Sequence, residues 1–421
     1  MAEPPPIIHD SPAPPILAET ESSPSTGPMA RFLSILLSLC LAAFIVDGLL
    51  SVLDQTLAVL FGIHPLAAPR ALAFLLAALL AIVVYLLMGF TRRVPKRVFL
   101  PLTLFNFLGT ILLIPFLIYH YDEIEQGGLV MSCIQLALGL GVFVWGRGEG
   151  KSRWLLVGEE RLGHQGFGWL NLVGFALANL FVLLPGIAVY LAFSAALAVD
   201  HFSGGFLSLR SDGLTARATK FVRDDGKSIE LIPMMHVGEP SFYRRVTNSF
   251  PTNSIILLEG VSDRSHLIQE KLSYKRLASS LGLVEQQSGF VPGPVSKQSR
   301  RADVDVSEFS KSTIELLNLV ARVHAEGLGS QAFLDAIRHG EDPDVAKQLW
   351  EDILFLRNRH LLEEIQSGLR ESDVLVVPWG AAHMPGVAEG IRTLGFKSSD
   401  TEEFKVVLFR TVLARLFAGR K

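Results

Sequence analysis

Five long apolar runs constrain this chain more than any other feature of its 421 residues. They lie at about 32–61, 71–90, 98–119, 129–145 and 167–199. Each approaches or exceeds the roughly 20 residues with which a helix crosses a hydrocarbon core about 30 Å thick. We therefore predict a multi-pass α-helical membrane region at residues 31–200, in contact with the lipid bilayer.

Two of these runs contain polar or helix-breaking residues. The first carries Asp47 and Asp54, which lie two turns apart and so share one helix face. Such carboxylates either line an ion path or face the helix bundle, and we favour the second interpretation. The last run is longer than one span requires and is interrupted by Pro185 and Gly186. It fits a kinked single helix, which we prefer, or a tight helical hairpin, so the spans number five or six.

The charges of the short loops predict an orientation, because basic loops stay in the cytoplasm. The loops after the second and fourth runs are basic, whereas the loop after the third carries Asp122, Glu123 and Glu125 and no Lys or Arg. The N-terminus is therefore expected in the cytoplasm. With five spans the C-terminal domain lies outside the cytoplasm, and with six it lies inside.

The residues outside the apolar runs differ in composition. Residues 1–30 are rich in Pro and Ser, lack periodicity and predict a disordered tail. The whole chain is 49% hydrophobic and 19% charged, with a net charge of −3, which gives no footprint for nucleic-acid binding. Cys40 and Cys133 both lie in apolar runs, which excludes a cysteine-based zinc site.

Residues 206–421 predict a separate α/β domain. Three strand-like stretches with turns at 211–213 and 224–226 predict a β-meander. The short apolar runs at 255–258 and 373–378 are typical of strands buried on both faces, and a late strand is predicted at 405–409. Helix-periodic stretches lie at about 263–281, 307–325, 330–339, 343–369 and 387–394, a loop is predicted at 282–304, and the last residues form an amphipathic helix. The alternation predicts a mixed sheet flanked by helices.

Polar residues follow three of the predicted strands. His236 follows the meander, Glu259 follows the run at 255–258, and Gly380 and His383 follow the run at 373–378. Ligand sites in open α/β sheets form beyond the carboxyl ends of strands, so these side chains are expected in one cluster. Imidazole and carboxylate suit a divalent transition metal or acid–base chemistry. Gly380 is expected to let the backbone turn sharply after its strand.

The same residues resemble the TraB/PrgY/GumN/TIKI family, within the wider EreA/ChaN-like superfamily. Residues 380–383 (GAAH) match the second of the family's two GxxH motifs. The segment 232–243 (IPMMHVGEPSFY) resembles the first, with Pro233 where the family has glycine. The resemblance covers about residues 207–409. Further matches are Glu259 at the family glutamate, Asp303 and Asp305 at a mid-domain acidic pair, Arg357 at the family arginine, and Asn358 where an acidic residue is common.

The resemblance implies an EreA/ChaN/TIKI-like fold and a divalent transition metal of the Mn or Co type. His236, His383 and Glu259 would hold the metal, with Glu259 as a ligand or general base. Arg357 would stabilise developing oxyanion charge. The remaining residues would lie around this site, with Asp303 and Asp305 orienting the histidines and Asn358 and Gly380 beside them.

Two hypotheses about function follow. TIKI members are described as metal-dependent extracellular proteases and EreA relatives as ester hydrolases, which implies a membrane-anchored hydrolase, a peptidase in particular, outside the cytoplasm. TraB and PrgY relatives limit peptide pheromones and ChaN-like relatives bind haem, which implies instead a non-catalytic module that sequesters a peptide or another small ligand. A transporter is disfavoured because the spans show no internal repeat.

Overall fold

The computed structural model of the chain describes residues 27–147, 155–269, 273–290, 298–326, 330–340 and 342–418. The chain divides into two compact units, Met1–Ala188 and Val189–Lys421. The tail predicted at residues 1–30 falls mainly outside the described residues, and the first helix begins at Pro28.

The first unit is helical. Its helices are α1 (Pro28–Phe61), α2 (Ala67–Phe90), α3 (Lys96–Leu112), α4 (Ile114–Tyr119), α5 (Ile124–Gly146) and α6 (Trp169–Ala178), and α7 (Leu184–Phe202) continues into the second unit. Among the described residues, five helical segments are long and apolar enough to cross a membrane. They are Pro28–Phe61, Ala67–Phe90, Lys96–Tyr119, Tyr121–Gly146 and Trp169–Phe202. The prediction of a multi-pass membrane protein is confirmed at this level.

The last span is one continuous helical run. A π-helical turn at Asn179–Leu183 joins α6 to α7, immediately before Pro185. A proline inside a helix removes one backbone donor and crowds the preceding turn, and a π-helical turn is one way in which a helix absorbs such a local irregularity. The helical hairpin is therefore not formed, and the described spans number five.

The two acidic residues of the first span face the inside of the bundle. Asp47 and Asp54 are 3% and 0% exposed. Apolar side chains of α1, α2, α3 and α5 pack together around the same bundle, with Leu37, Val84 and Phe99 fully buried. The interpretation of both carboxylates as bundle-facing is confirmed.

The second unit contains a seven-stranded mixed sheet. Its strands are β1 (Leu207–Arg210), β2 (Gly213–Val222), β3 (Ser228–Met234), β5 (Ile255–Leu258), β7 (Ser299–Arg301), β8 (Val374–Gly380) and β9 (Lys397–Leu408); β4 (Val237–Gly238) and β6 (Val284–Glu285) pair separately. The predicted meander is confirmed, since β1 pairs with β2 and β2 with β3 in antiparallel fashion.

The register of the central strands determines where the site lies. β8 runs parallel to β3 on one side and to β5 on the other, and β5 runs parallel to β7. β9 pairs with β2 in antiparallel fashion. Because β3, β8 and β5 run in the same direction, their carboxyl ends share one edge of the sheet.

Helices cover both faces of the sheet. The described helices of this unit are α8 (Pro240–Ser249), α9 (Lys275–Ser280), α10 (Gln286–Gly289), α11 (Lys311–Glu326), α12 (Gln331–Gly340), α13 (Pro343–Trp350), α14 (Arg357–Glu371), α15 (Met384–Thr393) and α16 (Phe409–Ala418), of which α8, α14 and α15 pack on the sheet. On one face α14 and α15 pack with Leu231, Leu375 and Val377. On the other α8 packs with Ile232 and Val376. A mixed sheet with helices is thus confirmed.

One predicted helix is wrong. Of the stretch 263–281, only α9 is helical among the described residues. The carboxylate of Asp263 accepts hydrogen bonds from the backbone N–H groups of Leu267 and Ile268, at 2.8 and 3.0 Å. Such local side-chain to backbone bonds compete with helix formation. The stretch predicted as a loop at 282–304 is interrupted by β6, α10 and β7.

Candidate functional site

The ends of three parallel strands bring the predicted site residues to one edge of the sheet. Glu259 directly follows β5, and His236 comes two residues after β3. Gly380 ends β8, and the 3₁₀ turn Ala381–His383 then leads into α15. These residues are far apart in the sequence, but β8 lies between β3 and β5 in the sheet and thereby brings them close together.

Arg357 joins two carboxylates at this edge. Its Nε and one terminal nitrogen donate to the two oxygens of Asp303 at 2.9 and 2.7 Å, and that terminal nitrogen also donates to Glu259 Oε1 at 2.9 Å. The paired contact to Asp303 is the bidentate arrangement that guanidinium groups favour. Arg357 is only 9% exposed, so the cluster is a buried charge network.

A π-helical turn places Arg357. This turn, Glu351–Leu356, lies between α13 and α14, and Arg357 and Asn358 are the first two residues of α14. Single π-helical turns in α-helices occur often at functional sites. The ring of Trp379 lies 5.4 Å from the guanidinium carbon of Arg357, and its indole N–H donates to the Leu257 carbonyl at 3.1 Å. Trp379 is fully buried and packs against the guanidinium group of Arg357.

His383 is held as a neutral imidazole. Its Nδ1 lies 2.7 Å from Oδ1 of Asn358 and therefore carries the proton that it donates to this acceptor. Burial, together with the positive charge of Arg357, lowers the pKa of His383 to about 4. The unprotonated Nε2 lies 3.7 Å from Glu259 Oε1. The site thus contains an uncharged nitrogen base beside a carboxylate.

Gly380 is required by close approach and not by backbone conformation. The backbone turns after β8 as expected, through the 3₁₀ turn Ala381–His383, but the φ of Gly380 is −49°, which any residue adopts. Its N–H donates to Glu259 Oε2 at 2.6 Å. A Cβ at this position would lie 3.3 and 3.4 Å from the two oxygens of Glu259. The absence of a side chain therefore lets the strand approach the carboxylate.

Asp305 and Asp303 have separate roles. Asp305 caps the 3₁₀ turn Val306–Glu308, with its side chain accepting from the Ser307 N–H and from the Ser262 hydroxyl. These hydrogen bonds lower the pKa of Asp305. Of the two, Asp303 binds Arg357, and the described hydrogen bonds of both carboxylates go to groups other than histidines, so the expected orientation of histidines is not seen.

His236 lies on the wall of a cavity of about 560 Å³. Its ring stacks on Tyr274, with centroids 5.1 Å apart and planes 5° from parallel. Glu259 and Arg357 line the same cavity, and its other polar lining residues are Glu285, Gln286 and Gln287. The apolar part of the wall is formed by Val261, Ile268, Phe290, Val306, Phe309, Leu317 and Ile353. The volume of the cavity is within the range of small-molecule sites.

The predicted metal ligands are placed as a pair with a third residue nearby. The 3.7 Å between His383 Nε2 and Glu259 Oε1 is longer than the about 3.3 Å expected between two ligands of one tetrahedral zinc ion. Both oxygens of Glu259 also accept hydrogen bonds. Within the described ranges, no three His, Cys, Asp or Glu side chains are arranged to hold a metal ion. Two donors therefore face each other, and His236 is the third candidate.

Sequence reasoning missed Trp379 and Tyr274 as parts of the site. Trp379 lies in a buried strand, where its apolar pattern gives no sign of a site role. Tyr274 comes from a stretch predicted to be helical, but it lies just before α9 and stacks on His236.

No family model, no curated protein and no solved structure matches the chain. The resemblance to the TraB/PrgY/GumN/TIKI family stays a prediction.

Proposed function

We propose that the C-terminal domain is a hydrolase of peptide or ester bonds in which Glu259 and His383 are the reacting groups. The observation that carries this proposal is the neutral His383, whose Nε2 faces Glu259 while Asn358 holds Nδ1. A neutral imidazole nitrogen next to a carboxylate suits proton transfer during attack by water or, when a metal is bound, ligation of that metal. The adjoining cavity is large enough for an apolar side chain or acyl group of the substrate.

A divalent transition metal of the Mn or Co type belongs to this proposal. Glu259 and His383 would hold it, with His236 as the third ligand after a movement of its exposed side chain. When bound, such a metal polarises a carbonyl group and activates water. Arg357 would keep Glu259 oriented through the hydrogen bond described above.

We also propose that this domain faces away from the cytoplasm. The support is the number of described spans together with the loop charges. Substrates would then be extracytoplasmic peptides or esters.

The test uses the full-length protein in detergent with quenched peptide and nitrophenyl ester substrates, with and without added Mn²⁺ or Co²⁺. We expect His383→Ala to lose both bound metal and turnover. Glu259→Gln separates the two possible roles of this carboxylate: if it is a general base, the variant should retain metal and slow turnover by roughly 10²–10⁴-fold, and if it is a metal ligand, the variant should release the metal. His360→Ala, on α14 but outside the cluster, is the control and should behave like the wild type.

A second candidate function is a non-catalytic module that sequesters a peptide or haem-like ligand. It is favoured because both oxygens of Glu259 accept hydrogen bonds, one from Arg357 and the other from the Gly380 N–H. These bonds leave the carboxylate less available for catalysis. This function would be supported if the wild type showed no hydrolysis but bound a ligand, and if substitutions along the cavity wall weakened that binding.

A further inference from the structure

The helices of the membrane unit enclose a second cavity, of about 420 Å³. It is lined by residues of α1, α2, α3 and α5, and its volume is again in the range of small-molecule sites. None of the groups proposed above for hydrolysis lies in it. Ionisable groups inside a membrane region are costly and commonly mark a functional site.

Around Asp54, at the end of the cavity near the turn between α1 and α2, the charges are balanced. The Asp54 carboxylate accepts from the Leu66 N–H at 2.9 Å and pairs with His64 at 3.0 Å and Arg70 at 3.5 Å. His64 also pairs with Glu125 at 3.4 Å. The side chains of His64 and Arg70 are 42% and 33% exposed, so solvent reaches this end.

Asp47 lies deeper and is only half satisfied. Seven residues separate it from Asp54, which is about 10 Å along a helix. Oδ2 of Asp47 accepts from Gln135 at 2.7 Å, whereas Oδ1 has no hydrogen-bond partner among the described residues. Asp47 is 3% exposed and forms part of the cavity wall. A buried carboxylate oxygen without a donor is strongly unfavourable, so this position calls for a cationic donor.

The rest of the wall indicates what kind of cation fits. Nδ2 of Asn106 is also buried without a partner in the described part of the chain, and it can donate to an acceptor atom. Phe74 and Phe105 contribute aromatic rings to the wall, and such rings attract ammonium groups. A ligand with an ammonium group, an oxygen acceptor and an apolar body would match all three features.

We propose that this cavity binds a small organic cation, an ammonium ion whose charged group pairs with Asp47 and whose oxygen accepts from Asn106. A bare metal ion fits less well because the cavity is much larger than one ion and no three metal-type donors converge within the described residues. An anion is disfavoured because the three carboxylates of Asp47, Asp54 and neighbouring Glu125 outnumber their two basic partners, His64 and Arg70. The acidic loop around Asp122 would raise the local concentration of cations at the solvent-exposed end.

Three probes and the full-length protein in maltoside detergent test this proposal. The probes are 2-amino-1-phenylethanol, its neutral analogue 1-phenyl-1,2-ethanediol, and 2-phenylethylamine, which lacks the hydroxyl acceptor. Binding is measured by calorimetry. The amino alcohol should bind more tightly than either of the other two. Asp47→Asn keeps the shape of the side chain. It should lower the affinity for the amino alcohol by about 10–100-fold, in line with the loss of a charged hydrogen bond, and leave the affinity for the diol unchanged.

Two further variants complete the experiment. Asn106→Leu should remove the advantage of the amino alcohol over 2-phenylethylamine. Glu160→Gln, an exposed residue on the 3₁₀ turn Glu159–Arg161 and not part of the cavity wall, is the control and should retain tight binding. Failure of both amines to bind the wild type, equal binding of amine and diol, or undiminished binding by Asp47→Asn would overturn the proposal. The proposal would also be overturned if sodium chloride stabilised the protein against unfolding and the amines did not.

Discussion

Nδ1 of His383 lies 2.7 Å from the side-chain oxygen of Asn358. An amide oxygen orients the imidazole as a carboxylate would, but it adds no negative charge to stabilise the protonated ring. Burial and the positive charge of Arg357 disfavour the imidazolium and lower the pKa of His383, so this residue stays a neutral base. The asparagine orients the ring without opposing this effect.

The stability of the domain should fall in mild acid because of His383. The pKa of this residue drops from its ordinary 6.5 to about 4 on folding. Below pH 6.5 the unfolded chain therefore binds a proton that the folded chain refuses, so the free energy of unfolding falls as the pH falls through this window. The full loss is about 3 kcal/mol. Denaturant unfolding at pH 7 and near pH 4 measures it, and His383→Gln should show a smaller loss. An identical pH dependence in that variant would contradict the assignment.

Asn358→Asp should raise the pKa of His383. The new carboxylate lies at the acceptor position of Nδ1 and stabilises the imidazolium. Nuclear magnetic resonance of ¹⁵N-labelled histidine follows the titration, and turnover near neutral pH should fall if a neutral base is required. Asn358→Gln serves as the uncharged comparison. If both variants titrate alike, the charge at residue 358 does not control His383.

Arg357→Ala should be among the most destabilising substitutions in the domain. It leaves the carboxylates of Asp303 and Glu259 without their shared cation in a buried site, which costs about 3–5 kcal/mol. Arg359→Ala is the matched control, since its pair with Glu351 is exposed and such pairs contribute at most about 1 kcal/mol. The measurement is the denaturant midpoint of each variant. Equal midpoints for the two would mean that the Arg357 cluster does not stabilise the fold.

Gly380→Ala should alter the site more than the fold. The backbone conformation tolerates alanine, but the new Cβ would displace Glu259 by a few tenths of an ångström. We expect a stability change within about 1 kcal/mol and a clear loss of turnover or ligand affinity. Gly386→Ala, where the Cβ would lie 2.7 Å from Nδ2 of Asn358, should affect the His383 titration instead. Wild-type activity in Gly380→Ala would argue against Glu259 as a reacting group.

A reporter enzyme fused after Lys421 tests the orientation. With five spans and a cytoplasmic N-terminus, a reporter that is active only after export should be active. A second fusion in the basic loop between α2 and α3 should be inactive. The opposite pair of results would place the C-terminal domain in the cytoplasm.

The positions of the site residues were predictable from sequence, whereas their partners were not. His236, Glu259 and His383 follow short apolar strands, and parallel strands place such residues at one edge. The position of β8 between β3 and β5 depends on contacts between residues far apart in the chain, and no local sequence pattern indicates it. The same holds for the pairing of Arg357 with Asp303 and of Asn358 with His383, which link residues far apart in the chain.

Some predictions from sequence missed the hydrogen bonds that individual aspartate side chains form or lack. Asp305 and Asp303 look equivalent in sequence, yet one caps a turn and the other binds Arg357. The stretch at 263–281 has helical periodicity, but residues 263–269 are not helical, and the carboxylate of Asp263 accepts hydrogen bonds from backbone N–H groups there. In the membrane unit, the sequence indicated that Asp47 faces inward, but only the packed helices reveal that one of its oxygens lacks a donor.

The place of β8 in the sheet has a consequence for synthesis on the ribosome. β3 and β5 are translated long before β8, which inserts between them and pairs with both. Until residues 374–380 emerge, the nascent domain consists of two separate groups of strands with open edges, β1–β3 and β5 with β7. Open edges favour wrong pairing, so a chain released early is a substrate for chaperones or proteases. Glu259 meets Gly380 and His383 only after residues 380–383 have been translated, so the candidate site cannot form before β8 has inserted between β3 and β5.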